Sequence, residues 1–360
     1  MTDSRHRARL APALLFAALA PGWTWADDLR VVTWGGTYQT SQENAYAPGF
    51  GPEIEWIEYR GGLDEIRAQV EAGEITWDVV DVLAHDARIG CDEGYFLRLP
   101  DDLFPEEMAG DLVIPRPNDC VGPNITWSWV TAYDTARFSD EAPASVADFF
   151  DTDTFPGPRA IAAFPQANLE MALLADGVAA KDVYDLLATE DGQDRAFSVL
   201  NGIAADLHLW SSGEEPIRLL QNGEVAMTTA YNGRVAAAEL SGETRIGTIY
   251  DGQILDEEWF VVVAGAPNEA AALDFLRHVA EPEQQAAQAR WIPYGPMRKS
   301  ALDIIAAGEP WFHTGVPVLP HIPSREDRIE NALVLDPQFW AEHGPDLTER
   351  FAIWRRGLGL

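Results

Sequence analysis

The sequence predicts an α/β protein of two lobes, each a mainly parallel sheet flanked by helices, with a cleft between the lobes. Three observations predict it. At 360 residues the chain exceeds one ordinary hydrophobic core, so two domains are expected. Strand-like and helix-like segments alternate through most of the chain, the pattern of a parallel sheet. Aromatic and polar residues cluster where separate strands end, and open parallel sheets bind ligands there.

The elements follow in order. LRVVTW (29–34) reads as a strand and Thr37 to about Ala47 as a helix. EIEWIEY (53–59) is a second strand with alternating apolar positions. GGLDEIRAQVEAG (61–73) carries Leu63, Ile66 and Val70 at helical spacing, with Gly73 as the stop. WDVVDVL (77–83) is a third strand, and NITWSWVTAYD (124–134) is extended. FPGPRAIAAF (155–164) leads into a further strand, followed by the helix LEMALLADG (169–177) and two more, DVYDLLA and RAFSVLNGIAADL. EEPIRLLQNGEVAMTTAYNGR (214–234) reads as helix, glycine turn and strand. WFVVVAGAP (259–267) is a strand, AALDFLRHVA (271–280) a helix, and WIPYGPMRKSA (291–301) a rigid loop entering another helix. The strand-end clusters are Trp34–Tyr38, Tyr231–Asn232 and Glu257–Trp259.

Composition narrows the function. The net charge is −33, with 58 acidic residues against 25 basic ones, which excludes non-specific binding to nucleic-acid phosphates. Lys181 and Lys299 are the only lysines. Such a surface suits solvation in salty water, and it also suits steering of a cation toward a cleft. Arg5, Arg7 and Arg9, the apolar run Leu10 to Ala20 and the small residues up to Ala26 have the form of a secretory signal. The expected signal is 1–26, and the expected location is the periplasm. In that oxidising compartment Cys91 and Cys120 most simply form one disulfide.

Motifs for chemistry are absent. Gly35–Gly36 lacks the lysine of a phosphate loop, and no GxGxxG, GxSxG or HExxH occurs. None of the histidines sits beside a cysteine, so a zinc site finds no ligand spacing. No cofactor or metal is expected, and no catalytic residue is assigned. His85, at the end of the third strand, is open to a structural or a ligand-contact role.

Several long segments carry a resemblance: WDVVDV with CDEGYFLRL (Cys91–Leu99), CVGPNITWSWVTAYD (Cys120–Asp134), ANLEMALLADGV, LWSSGEEPIRLLQNGEVAMTTAYNGR and WIPYGPMRKSAL. Over nearly the whole mature chain, the sequence resembles the periplasmic solute-binding proteins of the spermidine/putrescine group, which serve ABC importers. The resemblance implies a type II periplasmic binding protein fold, with residues 27–133 plus about 256–300 as one lobe and 134–255 plus about 301–360 as the other. It implies hinge closure on a small cationic ligand, delivery to a permease in the inner membrane, no enzymatic activity, and a monomer.

Members of that group hold an amine between aromatic faces and pin its charge with carboxylates, interactions suited to a protonated ligand. Carried over, Trp34, Thr37 and Tyr38 become first-strand contacts, Tyr231 and Tyr294 aromatic walls, and Glu258 the acidic contact. Trp210 is assigned to the wall as well. Two departures bear on specificity. FPQANLE offers only Glu170 where the group has an aspartate and a glutamate, so one ammonium pole is missing or rebuilt. Leu83 and His85 stand where it has serine and tyrosine. The ligand is therefore expected to be a polyamine, with another amine, a quaternary ammonium compound or an amino-acid-like solute as alternatives. A zwitterion would want a cationic partner; Arg234 is the arginine nearest a strand-end cluster, and a plain surface role is the more ordinary expectation for it. The alternatives of another class are a secreted carbohydrate hydrolase and a metal-binding transport protein.

Overall fold

The computed structural model describes residues 28–329 and 332–360; the expected signal segment lies outside them. Its strands are β1 (Leu29–Thr33), β2 (Ile54–Glu58), β3 (Val79–Leu83), β4 (Val121–Asp134), β5 (Arg159–Ala162), β6 (Leu207–Trp210), β7 (Met227–Tyr231), β8 (Ile246–Val262), β9 (Gly295–Pro296) and β10 (Leu333–Val334). Eight of them run in the order β2-β1-β3-β8-β4-β7-β5-β6, with β10 beside β8 and β9 beside β4. Two parallel groups, β2-β1-β3 and β7-β5-β6, flank the long antiparallel pair β8–β4. The sheet is therefore mixed, and the crossing pair is where its two halves meet.

The valine runs explain the first group. Successive strand residues point to opposite faces, and both faces here are covered. Val32, Val80 and Val82 meet Trp259 and Val261 on one side. Val31 and Val79 meet Phe260 and Val262 on the other. Two-sided burial is why these strands read as continuous apolar runs. The helix Asp64–Ala72 ends at Gly73, whose φ of 68° is the left-handed cap that glycine adopts without strain.

The expected disulfide is present, joining Cys91 at the end of helix Ala84–Asp92 to Cys120 just before β4. Closing a loop of 29 residues stabilises the fold by roughly 3–4 kcal/mol. One strand was longer than its sequence announces. The expected segment 259–267 overlaps only the end of β8, which begins at Ile246 and carries Asp256, Glu257 and Glu258 inside the sheet. Acidic residues are depleted in strands, so this half of β8 does not read as one. The C-terminal helix Pro337–Gly357 packs against Ala84–Asp92.

Candidate ligand-binding site

The middle of β3 carries Asp81, inside a valine run. Its carboxylate accepts hydrogen bonds from Tyr38 Oη at 2.7 Å, Gln42 Nε2 at 2.8 Å and Thr33 Oγ1 at 3.4 Å. Tyr59 Oη donates to its backbone carbonyl, and Asn124 Nδ2 donates to Tyr38 Oη at 3.1 Å. Burial raises Asp81 to about 6, against the lowering effect of the bonds from Tyr38 and Gln42.

Glu258 on β8 lies opposite Leu83 of β3 and Ile125 of β4. It is 8% exposed, and its Oε2 has no hydrogen-bond partner. Burial and the neighbouring Asp81 charge push its pKa well above the carboxylate range. Two residues back on the same strand face, Asp256 is raised to about 7 by burial. Burial and the Asp256 charge raise Glu257, on the opposite face, to about 8. Carboxylates held this dry are poised to be completed by a cation.

Four aromatic side chains gather next to them. Trp127 and Trp129 point to one face of β4, with Asp256 and Ile254 opposite. Tyr231, at the end of β7, pairs with Trp129 across the sheet. Ring centroids lie 5.1 Å apart for Trp127–Tyr231, 4.8 Å for Trp129–Tyr231 and 5.4 Å for Trp210–Tyr231. Trp210 stacks on Trp129 at 5.8 Å. The indole nitrogens of Trp127, Trp129 and Trp210 are buried without a partner. Buried indole N–H groups usually find one, so three together mark an incomplete polar surface.

Arg234 follows Tyr231 by three residues, on helix Asn232–Leu240. It forms an ion pair with Glu214, while its Nε is buried and unpartnered. Burial lowers the guanidinium pKa, but Tyr294 and Glu214 outweigh it and the net shift is upward. Tyr294 packs edge-on to Tyr38 at 5.5 Å. Gly233 allows that approach, because a Cβ there would strike the Tyr294 ring.

Trp34 packs on Tyr59 at 5.2 Å, with its indole nitrogen buried and unpartnered. The adjacent glycines both need positive φ, 71° at Gly35 and 60° at Gly36. A Cβ at Gly35 would collide with the Glu58 side chain, and one at Gly36 would sit 3.6 Å from Arg234 Nη1 and from Glu214 Oε1. The glycine pair thus brings the end of β1 to the Arg234 ion pair.

The structure therefore gathers Trp210, Tyr231, Tyr294, Glu258, Tyr38 and Arg234, with Trp34 and Thr37 at the β1 end. Thr37 is exposed and reaches Glu214 by a 3.2 Å hydrogen bond. Tyr38 is turned inward and orients Asp81. His85 sits at the start of helix Ala84–Asp92 with its Nε2 3.4 Å from Asp86 Oδ1. Glu170 makes its bonds elsewhere. It accepts from Trp340 Nε1 at 2.8 Å and Tyr184 Oη at 3.2 Å, and so anchors the C-terminal helix. Sequence reading passed over Asp81, Asp256, Trp127, Trp129 and Glu214. The alternation of Trp127 and Trp129 was the available signal for two of them. Among the described residues no group of three or more His, Cys, Asp or Glu side chains could hold a metal ion.

Aromatic faces, an arginine and dry carboxylates gather where the long crossing strands join the two sheet halves, an arrangement suited to holding a small molecule. The chain belongs to the bacterial extracellular solute-binding protein family, which matches residues 44–315. It is 36% identical over 345 residues to the gamma-aminobutyric acid-binding protein of Pseudomonas aeruginosa, covering 95% of this chain and 94% of that one. Among solved structures, the PBP MotA from A. tumefaciens B6 in complex with glucopine is 28% identical with a TM-score of 0.80, covering 91% of this chain and all of that one. A GABA receptor is also 28% identical, with a TM-score of 0.77, covering 91% of this chain and 97% of that one. The expected periplasmic binding protein fold is thus present. The protein is the substrate-binding component of an ABC transporter, handing a small molecule to its permease. Its relatives are solute-binding proteins rather than enzymes.

Proposed function

We propose that the protein captures a small zwitterion with an amine at one end and a carboxylate at the other, an ω-amino acid such as γ-aminobutyrate (GABA), in the periplasm. The observation that carries this reading is the pairing of opposite charges beside one aromatic group: Arg234 with a free Nε, and Glu258 with a free Oε2. The ligand carboxylate goes to Arg234, whose planar fork suits it. The ammonium goes to Glu258, held over the faces of Tyr231 and its indole neighbours. Asp81 keeps the Glu258 end negative, and Tyr38 holds Asp81 in place. Trp34, Thr37, His85 and Tyr294 close the rim. Relatives that bind GABA support the assignment.

The lobes are 27–133 with about 256–300, and 134–255 with about 301–360. They close as a hinge about β4 and β8, and the monomer delivers the ligand. A diamine such as putrescine is the second reading, favoured by Glu214, which could take a second ammonium beside Arg234.

Calorimetric titration of refolded, ligand-free protein separates them. The panel holds GABA, putrescine, spermidine, choline, glycine betaine, basic amino acids and short sugars. Micromolar or tighter binding of GABA, with putrescine silent, is expected. Binding of putrescine with GABA silent would restore the polyamine assignment.

A further inference from the structure

Glu214 occupies an unusual position. Its Oε1 meets Arg234 Nη1 in an ion pair and also accepts the 3.2 Å hydrogen bond from Thr37 Oγ1. Thr37 belongs to the helix Gly36–Tyr46 that follows β1, whereas Glu214 and Arg234 flank β7. The carboxylate therefore links the helix after β1 to the β7 side of the sheet. Its neighbours are shaped for it. A Cβ at Gly36 would sit 3.6 Å from both members of the pair, and one at Gly213 would lie 2.7 Å from Arg234 Nε and 2.8 Å from the Tyr231 ring. Only glycine at 213 lets the LWSSGEE loop press this closely on Arg234.

The two partners differ in freedom. The Arg234 side chain is 12% exposed and that of Glu214 is 55%. The guanidinium is fixed in the wall, while the carboxylate reaches it from solvent. Glu214 engages one edge of the fork and leaves Nε without a partner, although a guanidinium can hold a carboxylate through two parallel bonds.

We propose that Glu214 is a built-in carboxylate that occupies the Arg234 anchor in the ligand-free protein and exchanges with the carboxylate of the incoming solute. This inference rests on the zwitterion reading above. Exchange replaces one carboxylate with another, so the Arg234 charge is paired both before and after binding. A diamine has no carboxylate to offer Arg234 and so does not exchange with Glu214. The cost is affinity: only molecules with Arg234 released are competent, and the apparent Kd rises by the inverse of that fraction.

Two readouts test this on the full mature chain. The first is titration of GABA and putrescine into wild-type and Glu214→Gln protein. The glutamine keeps the side-chain size and removes the competing charge. GABA is expected to bind E214Q about tenfold tighter than wild type, a shift of about 1.4 kcal/mol, and putrescine is expected to bind neither. The second readout needs no ligand assignment. Phenylglyoxal, an arginine-selective reagent, should label Arg234 several-fold faster in ligand-free E214Q, as quantified by peptide mass spectrometry.

The failures are distinguishable. If wild-type protein binds GABA but E214Q binds it equally or more weakly, the exchange inference falls and the zwitterion reading stands. Wild-type protein that does not bind GABA ends the zwitterion reading. Arg234 labelling unchanged by E214Q overturns the inference whatever the ligand. If E214Q abolishes binding of putrescine by the wild-type chain, Glu214 is an amine contact and both fall.

Discussion

Two aromatic clusters of this protein look alike in composition and differ in one respect. In the first sheet half, Tyr46, Phe50, Phe260 and Phe275 pack edge to face, with Trp56 against Phe275. The one hydroxyl in this group is paired: Tyr46 Oη donates to Gln288 and lies 3.3 Å from Asn124 Oδ1. Beyond β4, Trp127, Trp129, Trp210 and Tyr231 pack as closely, yet three indole N–H groups are unpaired and charged residues surround them. Aromatic packing by itself identifies a core. Unfinished hydrogen bonding beside opposite charges identifies a site.

The clusters should therefore respond oppositely to mutation. Phe275→Ala should lower the unfolding free energy by about 3–5 kcal/mol in chemical denaturation, while the GABA Kd of the folded protein stays within about twofold of wild type (~0.4 kcal/mol). A large change in Kd would mean that the first cluster belongs to the site. Arg234→Ala should do the reverse, removing about 2–5 kcal/mol of binding free energy in titration; unaltered affinity would take Arg234 out of the site. Tyr231→Leu should weaken GABA binding by a smaller amount, about 0.5–2 kcal/mol, the worth of a cation over an aromatic face. A loss as large as that of Arg234→Ala would point to a polar role for its hydroxyl.

Protonation gives the smallest and most specific difference. The folded-state pKa values of Asp256 and Glu257 are raised, to about 7 and about 8. Raised carboxylates bind more protons folded than unfolded, so their contribution to stability is full below the unfolded pKa and is lost as pH rises through 7 to 8. The melting temperature of ligand-free protein should fall as pH rises from about 4.5 to about 8 and level off above that, and Glu257→Gln should flatten that fall. An ammonium ligand needs Glu258 ionised, and its pKa is raised too. GABA binding near neutrality should therefore release protons, seen as a binding enthalpy that varies with the ionisation heat of the buffer. Buffer-independent enthalpy would contradict a protonated free state.

Much of this was written in the sequence. Valine runs in LRVVTW and WDVVDVL gave away strands buried on both faces, and the Trp34–Tyr38 and Tyr231 clusters pointed to strand ends near the cleft. Glu258 was reached only through the family resemblance, from its place in DEEWF. Asp81 was not, because one aspartate inside a valine run looks like any buried strand position until Tyr38, Gln42 and Thr33 are seen to converge on it. Glu214 was hidden among 58 acidic residues, and its partners Thr37 and Arg234 lie far away in sequence. Glu170 was drawn into the site by its nearness to a helix start, whereas its bonds to Trp340 and Tyr184 depend on a C-terminal helix that no local pattern places there.

The most direct test of the central claim is a crystal structure of the protein grown with GABA. The ligand carboxylate is expected on Arg234 with Glu214 swung away, and the ammonium on Glu258 over Tyr231. A ligand lying elsewhere, or bound with its amine toward an Arg234 still paired to Glu214, would contradict it.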